Sequence, residues 1–198
     1  MLRWALTGVS AFCCSSLLSS CCLLAAQTPQ GTHGKVVDHT YSDPRYGLRY
    51  TFPADLENMT SLPNGIPVGT GEKQGVSEFL FSSMERPNGR VRRGVMITSD
   101  PIGVLGAKDA SNYLRQMVKL SMGAKDRIDL RTVTIAGKSF ARTDVGIGVQ
   151  IRSYGAQLAT ICGNDFLTFY FSGPGPAKVE ELVRTLDQLS LSCSVNNH

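Results

Sequence analysis

Histidine is the side chain that moves protons most readily near neutral pH, and this chain holds three: His33, His39 and His198. All stand outside the stretch whose patterning reads as a folded body. A Ser-His-Asp or Cys-His site would therefore need an arm folded back over that body. His33, Asp38, His39 and Asp43 carry metal-ligating atoms. They lie in a polar segment with no regular element beneath them to impose a coordination geometry, so solvated linker residues are the simpler reading. The carboxylates Asp55 and Asp144 remain as candidates for a hydrolase.

Other groupings point to binding rather than to chemistry. Gly69-Thr70-Gly71-Glu72-Lys73-Gln74-Gly75 has the glycines of a phosphate loop. It lacks the Gly-Lys-Ser/Thr ending and the helix-opening spacing that cradle a nucleotide. Gly173-Pro174-Gly175-Pro176 precedes a helix, but its prolines remove two of the N–H donors an anion would need. No cofactor is expected. Arg86, Arg90, Arg92 and Arg93 crowd one hairpin, suited to an anionic surface or an acidic partner, or simply to solubility and protection of an edge. Arg142 and Asp144 share a strand face with Phe140, with Arg152 near in sequence. They can line a pocket, and an ion pair beneath a helix edge is the expectation.

The elements that must position these groups follow from composition and periodicity. The chain has 198 residues, 42% of them hydrophobic, and a formal charge of +4. That suits one globular domain, and so mild a positive charge does not indicate nucleic acid. Arg3 opens an apolar stretch closed by Ala25 and Ala26, the pattern of a secretory leader over 1–26. Ser10, Ser15, Ser16, Ser19 and Ser20 dilute it below the about 20 apolar residues of a membrane span. Two ways of processing stay open: cleavage after Ala26, or lipidation of Cys21 at the lipobox-like Leu18-Ser19-Ser20-Cys21. The expected location is outside the cytoplasmic membrane, periplasmic, membrane-anchored or secreted. Membrane association is expected only through a lipid on Cys21. Four of six cysteines (Cys13, Cys14, Cys21, Cys22) lie in the leader. Cys162 and Cys193 are left to meet an oxidising compartment, where pairing is the default.

Residues 27–45 read as a linker and 46–194 as the domain. Leu48, Tyr50 and Phe52 alternate with Arg49 and Thr51, a strand with one buried face. Ser61 to Gly75 reads as a long loop. Glu78–Arg86 and Arg92–Thr98 read as strands around Pro87-Asn88-Gly89. Ala110, Tyr113, Leu114, Met117 and Val118 predict a helix over 108–122. Leu130–Ala136 and Ser139–Val145 flank a turn at Gly137-Lys138, and Gln150–Cys162 and Phe166–Ser172 a turn at Gly163-Asn164-Asp165. Val179, Leu182, Val183, Leu186 and Leu189 stripe a last helix opened by Pro176, on which Glu180 and Arg184 are spaced for an i,i+4 pair. Short turns enforce antiparallel pairing, and one-striped helices need a flat surface to cover. The expected fold class is α/β (α+β): a mostly antiparallel sheet sandwiched by helices.

The stretch YGLRYTFPADL (Tyr46 to Leu56) resembles the opening of PsbP-like domains, an aromatic-Gly strand running into Tyr/Phe-Pro and a turn. VTIAGKSFAR (Val133 to Arg142) resembles their hairpin around a Gly. Leu56 stands where many relatives have Trp. The resemblance covers Tyr46 to Ser194 and implies a helix-sheet-helix sandwich. Photosystem extrinsic subunits, DcrB- and LpqN-type lipoproteins and secretion-associated chaperones share it, and none of their site residues can be matched here. The function expected is a non-enzymatic accessory or partner-binding module of the bacterial envelope, its partner an envelope protein or an anionic surface. A small-molecule or lipid carrier, or a carboxylate hydrolase, is the alternative.

Overall fold

Period-two alternation governs most of this chain, and in the computed structural model it becomes sheet. The structure describes residues 34–60, 66–68, 75–85, 93–122, 128–147 and 153–193. Leu48–Thr51 (β3) buries Leu48 and Tyr50 and exposes Arg49 and Thr51. Ahead of it, Lys35–Val37 (β1) and Thr40–Asp43 (β2) complete a small antiparallel sheet in the order β1-β2-β3. The linker expected over 27–45 is thereby corrected, because the folded body includes the chain from β1 onward. Asp38 and His39, at φ 45° and 58°, form the two-residue turn between β1 and β2, the left-handed pair that a tight hairpin uses. Tyr41 is buried and stacks on Phe81 at 5.0 Å. Asp43, with no exposed surface, accepts hydrogen bonds from Tyr41 and Arg45. The polar residues around these strands concealed them.

The larger sheet has eight strands among the described residues, all antiparallel to their neighbours. They are Leu56–Asn58 (β4), Ile66–Val68 (β5), Gly75–Glu85 (β6), Gly94–Pro101 (β7), Leu130–Ile135 (β8), Lys138–Ile147 (β9), Ser153–Cys162 (β10) and Asp165–Gly173 (β11). The order is β4-β6-β7-β11-β10-β9-β8, with β5 pairing β6. The expected loop over 61–75 thus contains a strand, Ile66 lying opposite Ser77; the rest of the stretch up to residue 74 lies outside the described residues. The β8–β9 turn sits one residue earlier than expected, on Ala136 and Gly137 at φ 49° and 74°, closed by the Ile135–Lys138 pair.

Each sheet face is covered by its own helix, so the α+β sandwich stands. Asp109 caps the helix Ala110–Met122 (α1), its Oδ1 accepting from the Asn112 N–H at 2.7 Å. Tyr113 and Leu114 pack on Ala141, Ala159 and Phe166. On the opposite face, Pro176–Val183 (α2) runs into a tighter turn, Arg184–Gln188. Val179, Leu182, Val183 and Leu186 join Phe81, Ile97, Phe169 and Leu158 in the main core, together with Leu48, Tyr50 and Phe52 of the small sheet. Burying each such side chain stabilises the fold by about 1.5–3 kcal/mol before entropy is counted. The last segment is tied back twice. Arg49 and Ser190 exchange backbone hydrogen bonds at 2.9 and 3.0 Å, and a disulfide joins Cys162 to Cys193 with Cα atoms 4.6 Å apart.

Candidate functional site

A groove of about 530 Å³ opens between the start of α2 and strands β9 and β10. Val145, Tyr154, Pro176 and Val179 supply apolar lining, and Arg131, Arg142, Asp144 and Glu180 supply charge. The sheet register explains the grouping. Arg131 lies opposite Arg142, and Asp144 follows two residues on, so all three point to one face. Pro176 at the first helical position places Glu180 one turn inside α2, above Arg142.

Arg142 is the centre of this arrangement. Its side chain is only 10% exposed. Nε and Nη2 donate to Asp144 Oδ1 at 3.1 and 2.9 Å, and Nη2 donates to Glu180 Oε2 at 2.5 Å. Arg131 reaches the other oxygen of Asp144. Burial works against the Arg142 cation, yet its bonds to Glu180 and Asp144 outweigh that and raise its pKa above the ordinary value. Two guanidinium groups and two carboxylates therefore form one chain of ion pairs, from Arg131 through Asp144 and Arg142 to Glu180. Such a rim can orient a ligand, and each of its carboxylates is engaged by a guanidinium. The expected pair of Glu180 with Arg184 gives way to Glu180 with Arg142, because Arg142 is already held in place by the sheet.

A second polar cluster is sealed beneath α1. Asp100 has no exposed surface and accepts from the Tyr113 hydroxyl at 2.6 Å. Burial raises its pKa, while bonds from Tyr113, Ser77 and Thr98 oppose the rise and the charge of Asp165 adds to it. Burial likewise pushes Tyr170 nearby up to about 12. Asp100 Oδ1 has no partner among the described residues. In sequence Asp100 precedes Pro101 and looks like an ordinary strand-ending residue, so only packing reveals it.

The residues singled out from sequence fare differently. Arg93 is largely buried and pairs with Asp55 in the turn before β4, which makes it a tie between elements. Arg86, Arg90 and Arg92 lie outside the described residues, as do Arg152, His33, His198, Cys21 and the whole stretch 1–26 expected to be a leader. Asp144 enters the groove, Asp55 does not, and Cys162 and Cys193 are joined. His39 is exposed, its ring edge-on to Phe52 at 5.2 Å. Asp43 is committed to Arg45, which also bonds Glu78 at 2.7 Å. No group of three or more His, Cys, Asp or Glu is placed to hold a metal among the described residues. Arg131, Tyr154 and Glu180 were missed as groove residues. The Arg131–Arg142 register was the available signal for the first, and none existed for the others. Among the described residues no helix is long and apolar enough to cross a membrane.

No protein-family model matches the chain, and no curated protein does. Among solved structures it is similar to the solution structure of a cyanobacterial PsbP (CyanoP) from Synechocystis sp. PCC 6803. The identity is 14% and the TM-score 0.47, over 83% of this chain and 99% of that one.

Proposed function

We propose that this protein is an exported accessory module of the bacterial cell envelope that binds a partner in the groove beneath α2. The observation that carries the reading is the chain of ion pairs Arg131–Asp144–Arg142–Glu180 along an apolar lining. Its charges are mutually satisfied, so its use is to place a partner and not to transform one. An apolar lining inside a polar rim is how partner surfaces are commonly built. Export rests on the leader pattern, and the Cys162–Cys193 disulfide suits an oxidising compartment. Anchoring through Cys21, and contact of Arg86, Arg90 and Arg92 with an anionic surface, are the finer parts of the proposal.

Photo-crosslinking in the intact host tests it. A photoreactive residue replacing Ala177 at the groove mouth should yield a discrete adduct in the envelope fraction. The same residue at Gly137, in the exposed β8–β9 turn, should not. Equal labelling from both sites, none from Ala177, or a protein found only in the cytoplasm would overturn the reading. Arg86/Arg90/Arg92→Glu examined alongside separates the hairpin from the groove.

A further inference from the structure

Every charge in the groove's chain of ion pairs is paired, but not every donor and acceptor is used. The middle members are saturated. Asp144 accepts from Arg142 at Oδ1 and from Arg131 at Oδ2, and the largely buried Arg142 donates to both Asp144 and Glu180. At one end of the chain, Arg131 commits only Nη2, and its Nε and Nη1 bond nothing among the described residues. At the other end, Glu180 commits Oε2, and its Oε1 accepts from nothing among the described residues. Both terminal side chains line the groove, and they are 45% and 43% exposed. Each end thus offers free atoms where a ligand can reach them. One is a guanidinium fork suited to a carboxylate, the other a carboxylate oxygen suited to an ammonium.

The floor beside these ends is apolar and open. Gly146 faces the same way as Arg142 and Asp144, since side chains two apart on a strand share a face, and it lies opposite Tyr154. A Cβ on Gly146 would meet nothing within 4 Å, so free space continues over β9 past Asp144. Tyr154, Pro176 and Val179 supply apolar surface to the same groove. The four charges sum to zero, so the groove as a whole favours neither sign. A ligand with one charge is attracted at one end of the chain and gains nothing at the other. A ligand carrying both signs on an apolar stretch meets both ends and the lining at once, which is the complementarity that sets register and specificity at an interface.

We propose that the partner segment taken by this groove is dipolar: an acidic side chain on Arg131, a basic one on Glu180, and an apolar side chain between them against Tyr154 and Val179. This inference rests on the groove reading above and names the chemistry of its partner. The probe is the acetylated, amidated peptide Glu-Ser-Leu-Ser-Lys, whose charged and apolar side chains share one face of an extended chain. It is titrated into the exported protein with valine, alanine and isoleucine methyl groups followed by NMR. Signals of Val145, Ala177 and Val179 shift saturably, while those of Val37 and Ile102, exposed elsewhere, stay still. Replacing the peptide's Glu or its Lys by Gln weakens binding about two- to fivefold each, the worth of an exposed ion pair. Arg131→Gln abolishes the effect of the peptide's Glu and keeps that of its Lys, and Glu180→Gln does the reverse. The inference is overturned if the peptide does not shift the groove signals, if its charges make no difference, or if neither variant moves the charge dependence. The peptide arms on the wild type decide alone should a variant fail to fold. An envelope adduct from Ala177 together with a charge-indifferent peptide removes this inference and leaves the groove reading standing, whereas loss of both adduct and peptide binding removes both.

Discussion

Arg142 on β9 and Glu180 on α2 meet with 2.5 Å between Nη2 and Oε2, so one guanidinium holds the helix to the sheet while also gripping Asp144. The arginine is 10% exposed, whereas Asp144 and Glu180 are 39% and 43% exposed. The carboxylates can recover water when the bond is lost, and the arginine stem cannot recover its packing. Arg142→Ala should therefore cost about 1–2 kcal/mol, and Glu180→Gln less than about 1 kcal/mol. Urea unfolding of both variants, compared by midpoint, checks the order.

The Cys162–Cys193 bond closes a span of 31 residues. On the chain-entropy estimate this stabilises the fold by about 3–4 kcal/mol. Cys162→Ser/Cys193→Ser should lose that amount, and the wild type should lose it in reductant. Denaturant curves with and without reductant should shift for the wild type and coincide for the variant.

Asp100 should make stability fall as pH rises. Burial raises its folded pKa above the ordinary carboxylate value, so its contribution is fully present below the unfolded value, about 3.9. That contribution is lost as pH climbs through the raised folded value. Asp100→Asn, which does not titrate, should gain on the wild type between pH 4 and pH 8. Tyr113→Phe removes the hydroxyl that donates to Asp100 and should cost about 1–3 kcal/mol. Unfolding free energies at pH 4, 6 and 8 test both, and an Asn-minus-Asp difference independent of pH contradicts the assignment.

Gly47 and Gly137 separate two reasons for glycine. Both have positive φ, 55° and 74°; a Cβ on Gly137 would meet nothing within 4 Å, whereas one on Gly47 would stand 1.8 Å from Ser192 Oγ. Gly137→Ala should cost about 1 kcal/mol, from backbone strain alone. Gly47→Ala should cost more, and Ser192→Gly should recover part of the excess. Thermal melts of the three variants decide the matter; equal losses at the two glycines would remove the steric account.

Local chemistry was legible in the residues themselves. Leu48/Tyr50/Phe52 alternation, the Gly163-Asn164 turn and the Val179–Leu186 stripe are near-neighbour patterns, and periodicity with turn preference determines them. That is why the α+β class, both helices and the antiparallel pairing could be read directly. What escaped depended on distance along the chain. β1 and β2 are short strands in a polar stretch, joined to the core where Tyr41 meets Phe81, forty residues on. The groove needs Glu180 beside Arg142, thirty-eight residues apart. Strand order sets those meetings, and no short-range pattern encodes it.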